Sequence, residues 1–312
     1  MCGVMEKRSR RRRFIPDGCN HIYQKTENGK ILFYDVEDYL VCYMIMSVMS
    51  KKQSVKIMEL CFMVDHIHIL IETDSREQMA KFMRDYSSVF IHEYNTSIGR
   101  HGQMFYKSYG NAPKKGDKKM RSTIVYIGNN PVEKKLSSGA EDYRWNFLKY
   151  MIDRNPFSKK SSKKSYSKKL VGAMKQVDRM VKSGRYINYQ MLRGMYARIS
   201  GDEAEVLTDY IIMSYYPFGE NDIVGYYNDW NQMIDAMHST SGSEYDIAER
   251  IYAGSDQVYL EMIKYVSSVL KIHPVRNVTV LPVNDKLRLA SLLKTYTGAT
   301  HFEVCKFLHI KY

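Results

Sequence analysis

Four side chains in the first half of this sequence could do chemistry together: His66, His68, Tyr126 and Asn130. The histidines sit in the apolar run "FMVDHIHILIETD" (62–74), one residue apart. In a strand, residues two apart share a face, so His66, His68 and Leu70 point one way and Ile67, Ile69 and Ile71 the other. The isoleucines are expected to face helices. Two imidazoles so placed can both meet one divalent ion through neutral ring nitrogens. Two structural histidines would give the same pattern.

Tyr126 and Asn130 are four apart, adjacent on one face of a helix expected to start near Asp117. Met120, Ile124 and Ile127 form that helix's apolar stripe. Tyr126 is off the stripe, on a polar face with Lys119, Ser122, Asn129 and Asn130. An amide oxygen can be a third metal ligand and the phenol beside it a nucleophile. An ordinary exposed helix end is the alternative. Pro131 disfavours helical geometry at Asn130, so the helix is expected to end there.

The elements that must position these groups are legible in the patterning. "HIYQKT" (21–26) alternates as a strand. Residues 35–52 read as a helix capped by Asp35, with Val36, Tyr39, Leu40, Tyr43, Met44 and Val48 as its stripe. Residues 55–63 and 66–73 read as two strands joined by a tight turn at Val64-Asp65. Ser75 and Gln78 form a capping box for a helix carrying Met79, Phe82, Met83, Tyr86, Phe90 and Tyr94. "QMFYKSY" (103–109) is expected as a fourth strand, with 110–116 as a loop. The order β-α-β-β-α-β-α is that of an α+β, ferredoxin-like (split βαβ) domain built on one antiparallel sheet.

Charge divides the chain. Residues 1–169 carry 32 Lys and Arg against 18 Asp and Glu, a net of +14, whereas residues 170–312 carry 15 against 16, a net of −1. That asymmetry suggests a polyanion-binding module joined to a neutral one. Residues 1–13 read as a basic, disordered arm, 14–154 as the α+β domain, and 155–169 as a Ser/Lys-rich linker. Residues 170–312 read as a mainly helical domain, with stripes such as Leu170, Met174, Val177, Val181 and Tyr252, Tyr259, Ile263, Val266. Five cysteines without CxxC spacing fit a reducing cytosol and argue against a disulfide framework. The longest apolar stretch, 39–49, is too short to cross a bilayer. The basic N-terminus lacks the apolar segment of a secretory signal. The expected location is therefore cytoplasmic.

"FMVDHIHILIET" followed some sixty residues later by "YIGNNPV" resembles the single-tyrosine HUH transposases of the IS200-like superfamily. The nearest branch is the REP-associated tyrosine transposases, with their "MPNHVHLLIE"-like strand and "YIHxNPV"-like helix. "NHIYQKT" is similar to that family's first strand and "EDYRWNFLKY" (141–150) to its closing segment. The resemblance covers about residues 14–150.

It implies that His66 and His68 are the HUH metal ligands, Asn130 the third ligand and Tyr126 the nucleophile. The implied cofactor is Mg2+ or Mn2+, the implied substrate single-stranded DNA next to hairpins, and the implied intermediate a 5′-phosphotyrosine. Arg10, Arg11, Arg12, Arg13, Lys107, Lys114, Lys115, Lys118 and Lys119 would hold the phosphate backbone. The sequence departs from the pattern twice: Val64-Asp65 replaces the usual Pro-Asn, and Gly128 stands where a bulkier side chain is usual. Gly costs about 1 kcal/mol in a helix interior, so it is expected to loosen the helix of Tyr126.

Residues 285–312 read as helix, Thr-Gly turn, helix, with a Thr300–Glu303 capping box resembling the front of a helix-turn-helix unit. With no excess positive charge there, a structural or self-association role, such as a homodimer contact, is the first expectation and DNA reading the second. Two further readings of the whole chain remain: a non-catalytic binder of structured single-stranded DNA, and a His-ligated metal hydrolase. The hydrolase needs another His or carboxylate ligand and has no use for the tyrosine.

Overall fold

The computed structural model describes residues 14–15, 18–106, 109–158, 166–219, 221–239 and 255–311. Arg10 to Arg13, Lys107, Tyr252 and residues 159–165 of the Ser/Lys-rich stretch lie outside the described residues.

Four strands, β1 (Cys19–Lys25), β2 (Lys56–Phe62), β3 (His66–Glu72) and β4 (Gly110–Lys114), form one antiparallel sheet in the order β2-β3-β1-β4. With α1 (Val36–Lys52) between β1 and β2, and α2 (Arg76–Ile98) between β3 and β4, this is the ferredoxin-like arrangement. A third helix, α3 (Asp117–Glu133), follows. The first face of the sheet carries Ile22, Ile67, Ile69 and Ile71, all fully buried. Both α1 and α2 cover it: Tyr86 of α2 hydrogen-bonds Gln24, and Tyr39 of α1 stacks on Phe33 beside Phe62. Ser75 caps α2 as its sequence requires, accepting from the Gln78 amide at 3.1 Å.

The last strand falls on residues read as loop. Among the described residues of 103–109, an isolated bridge, Thr26 to Phe105, is the strand pairing present. Gly110 opens β4 because the Tyr23 ring lies over it; a Cβ there would stand 1.8 Å from Tyr23 Cζ. Pro113 is tolerated because β4 is the sheet edge, where a missing N–H breaks no ladder.

The second half is helical: α4 (Lys168–Lys182), α5 (Tyr189–Tyr196), α6 (Gly201–Ser214), α7 (Trp230–Ser239), α8 (Gln257–Ser268), α9 (Val283–Thr297) and α10 (His301–Leu308). The helices α4 to α7 share one apolar core with the sheet. Tyr43 of α1 donates to the Ile212 carbonyl at 2.9 Å, so α1 is buried on more sides than its stripe implied. Residues of α8 to α10 form a second cluster whose floor is Ile31, Tyr34 and Val64.

One buried cation ties the last part of the chain to the first. Arg276, with no exposure, pairs with Asp38 at 2.9 Å, Glu37 at 3.2 Å and Asp35 at 3.5 Å, and lies 4.1 Å over the Tyr189 ring. Among the described residues, no helix is long and apolar enough to cross a membrane.

Candidate active site

The second sheet face carries the candidate histidines. Antiparallel pairing sets Tyr23 opposite His68 and His21 opposite Leu70, so β1 and β3 present His21, His66 and His68 on one surface. The His66 and His68 rings are 4.9 Å apart between centroids, and His21 is 5.2 Å from His68.

Helix α3 lies across these rings. Tyr126 packs edge-on against His68 at 5.5 Å and His21 at 5.7 Å. One turn later, the Asn130 amide nitrogen donates to the Tyr126 carbonyl at 2.8 Å, which leaves Oδ1 as the amide atom an ion could meet. The fold thus sets Tyr126 against His68 and His21, with His66 beside His68 and Asn130 one turn further along α3.

Two expectations about α3 need correction. Its polar face is not open: Lys119 and Ser122 are exposed, but Tyr126, Asn129 and Asn130 are buried. Helix α7 covers that side, and Asn129 donates to the Met237 carbonyl at 2.7 Å. The helix also continues past Asn130 to Glu133 with Pro131 inside it. Pro131 thus costs α3 one intrahelical bond, the one its N–H would have given to the Ile127 carbonyl, in the last turn.

Gly128 acquires a reason as well. A Cβ there would come within 2.8 Å of Met237 Cε, so the glycine admits α7 against α3. Among the lysines expected on DNA, Lys115, Lys118 and Lys119 are exposed, but Lys114 is buried in β4 opposite Cys19 and does not lie on the surface with them.

The turn before His66 is the other departure from the family pattern. Val64 packs into the second apolar cluster with Tyr259 and Phe307. Its carbonyl accepts from Leu32 and Phe33. Asp65 accepts from His66 Nδ1 at 2.5 Å. Burial alone would push the Asp65 carboxyl up, but the neighbouring His66, together with Lys306 and Lys25, holds it below its ordinary value. The N-terminal end of α8 reaches the same place: the Asp256 amide donates to the Lys134 carbonyl at 2.9 Å. Burial and the nearby Asp65 push the Asp256 carboxyl up to about 6, against the pull of His66, Lys134 and Lys306.

The residues present fit a divalent ion. His66 Nδ1 meets Asp65 and His68 Nδ1 meets His21 Nε2 at 3.0 Å, so Nε2 is the ring nitrogen that each could offer to a metal. Among the described residues, no three His, Cys, Asp or Glu converge as a metal-binding group. An ion here would rest on the two imidazoles and a non-acidic third group such as the Asn130 amide.

His21 and Asp256 escaped the sequence reading. The alternation of "HIYQKT" signals a strand, but only the pairing register sets His21 beside His68.

Residues 21–130 match the model of a family described as transposase IS200 like. No curated protein matches the chain. A solved structure described as a REP-associated tyrosine transposase bound to a REP hairpin is 14% identical, overlapping 51% of this chain and 99% of its own, with a TM-score of 0.40. The matched segment runs from His21 to Asn130 and so encloses the whole ring cluster; over that segment the chain is similar to the IS200-like transposases.

Proposed function

We propose that this protein is a metal-dependent, single-tyrosine transposase or single-stranded DNA endonuclease acting near hairpins. The observation that carries the reading is the packing of Tyr126 against His68, with Asn130 one helical turn away. Two motifs some sixty residues apart in sequence meet where α3 packs on the sheet.

A Mg2+ or Mn2+ ion at this site supplies polarisation of a non-bridging phosphate oxygen and offsets charge in the transition state. His66 and His68, through Nε2, and Asn130, through its amide oxygen, would hold it. The phenol oxygen of Tyr126 forms the new O–P bond while the P–O3′ bond breaks. The phenol proton passes to water, and the departing 3′ oxygen takes one up. The 5′ phosphate stays on Tyr126, so the bond energy is kept for rejoining a strand. Lys115, Lys118 and Lys119 at the start of α3, with the arginines of residues 10–13, contribute phosphate contacts.

One observation favours a second reading, a non-catalytic binder of structured single-stranded DNA. Tyr126 is only 4% exposed and His68 fully buried, so a scissile phosphate reaches them only after the covering segments move.

Incubation with hairpin-bearing single-stranded oligonucleotides and Mn2+ separates the two on a denaturing gel. Wild type is expected to form a covalent adduct and Tyr126→Phe none, with hairpin binding retained. Binding without any adduct in wild type supports the second reading. An adduct that persists in Tyr126→Phe refutes the assignment of the nucleophile.

A further inference from the structure

Both candidate metal-binding histidines are held from behind, and the two holders are unlike. His66 Nδ1 lies 2.5 Å from Asp65 Oδ1, and His68 Nδ1 lies 3.0 Å from His21 Nε2. A carboxylate oxygen can only accept here, so His66 carries its proton on Nδ1. The His21–His68 contact has two solutions, because either ring can donate. If His21 donates, His68 is protonated on Nε2 and cannot offer that atom to a metal. If His21 accepts, His68 is protonated on Nδ1 and its Nε2 lone pair is available.

We infer that His21 is the acceptor: a positioning residue that fixes His68 as the Nδ1–H tautomer, as Asp65 fixes His66. This rests on the proposed metal role of His66 and His68. The geometry supports it in three ways. His21 has no exposure and stands in the strand next to His68, so its ring is held by packing. Its ring also meets Tyr126 edge-on at 5.7 Å, so one side chain braces both the ligand and the nucleophile. The paired arrangement, Asp65 behind His66 and His21 behind His68, gives each of two neighbouring rings a partner on Nδ1. A metal-binding imidazole generally donates its second N–H to such an outer partner, and loss of that partner costs about 10–100-fold in metal affinity or activity.

The test uses the full chain and three variants. His21→Gln retains an acceptor oxygen; His21→Leu removes it; Asp65→Leu removes the partner of His66. Long-range 1H–15N spectra of the metal-free protein report the His68 tautomer, and electron paramagnetic resonance titration reports Mn2+ affinity. Wild type is expected to show His68 as Nδ1–H. His21→Leu should lose that tautomer and bind Mn2+ about 10–100-fold more weakly, while His21→Gln stays within about threefold of wild type. Asp65→Leu should weaken Mn2+ binding to a similar degree and leave the His68 tautomer unchanged, which a general loss of folding would not do.

An Nε2–H tautomer of His68 in wild type overturns the inference, as does wild-type Mn2+ affinity in His21→Leu. Wild type that binds Mn2+ as described but forms no DNA adduct refutes the proposed catalysis and leaves the role of His21 standing.

Discussion

Replacing Arg276 by Gln asks how firmly the last third of the chain is held to the sheet domain, and its cost can be worked from the burial of its partners. The guanidinium and Asp38 both have no side-chain exposure, whereas Asp35 and Glu37 are 18% exposed. Removing one member of a buried ion pair costs about 3–5 kcal/mol, because the other charge is left without compensation. The full penalty falls on Asp38, with smaller additions from the other two. Burial pushes the Asp38 carboxyl up to about 6 from its ordinary 3.8; Arg276 pulls it down and Asp35 pushes it further up. Because the folded value is the higher one, the folded state holds the extra proton between these limits. Asp38's contribution is therefore fully present below about pH 4, is lost as pH rises through about 6, and is constant above. Without Arg276 the folded value moves higher still. The loss then continues above pH 6 at up to about 1.4 kcal/mol per pH unit. Burial also pushes Asp35 and Glu37 up, against the pull of Arg276, so they act in the same direction. Urea unfolding of both proteins at about pH 5 and about pH 8 should show a gap that grows by up to about 3 kcal/mol from the lower pH to the higher. A gap that does not change with pH, or one under about 1 kcal/mol at pH 8, would refute an uncompensated buried Asp38 as the cause.

Gly128 and Glu59 offer two further checks on how the site is packed. Gly128→Ala should change thermal stability by less than about 1 kcal/mol, because the atoms it meets are the flexible end of Met237 and alanine favours the helix. Gly128→Leu should cost about 1–3 kcal/mol by forcing α7 off α3, and Met237→Ala should recover most of it. A leucine tolerated as well as alanine would contradict the close approach. Glu59 of β2 is buried and neither carboxylate oxygen has a hydrogen-bond partner, so burial pushes its carboxyl well above its ordinary 4.5. The folded state keeps that proton, so Glu59 makes stability fall as pH rises from about 4.5, by up to about 1.4 kcal/mol per unit. Glu59→Leu should raise the melting temperature, more at pH 7.5 than at pH 5. A destabilised leucine variant would mean that the carboxyl has a partner.

Local patterning was enough for three of the four strands, for the helices over them and for the faces on which the candidate residues lie. Alternation in "HIHILIET" places His66 and His68 on one face whatever they pair with, because the strand period is a property of the backbone. The spacing from Tyr126 to Asn130 does the same on a helix. The register of β1 against β3 was not legible, since it depends on which strands become neighbours; His21 therefore became visible only with the sheet assembled. The edge strand was missed because Gly110 and Pro113 weigh against strand locally, while Tyr23 and an unpaired edge make them suitable. Most of all, tertiary structure decided what lies on the far side of α3. Spacing within a helix shows its faces but not what covers each of them, and it is α7, a hundred residues away in sequence, that buries the face carrying Asn129 and rests on Gly128.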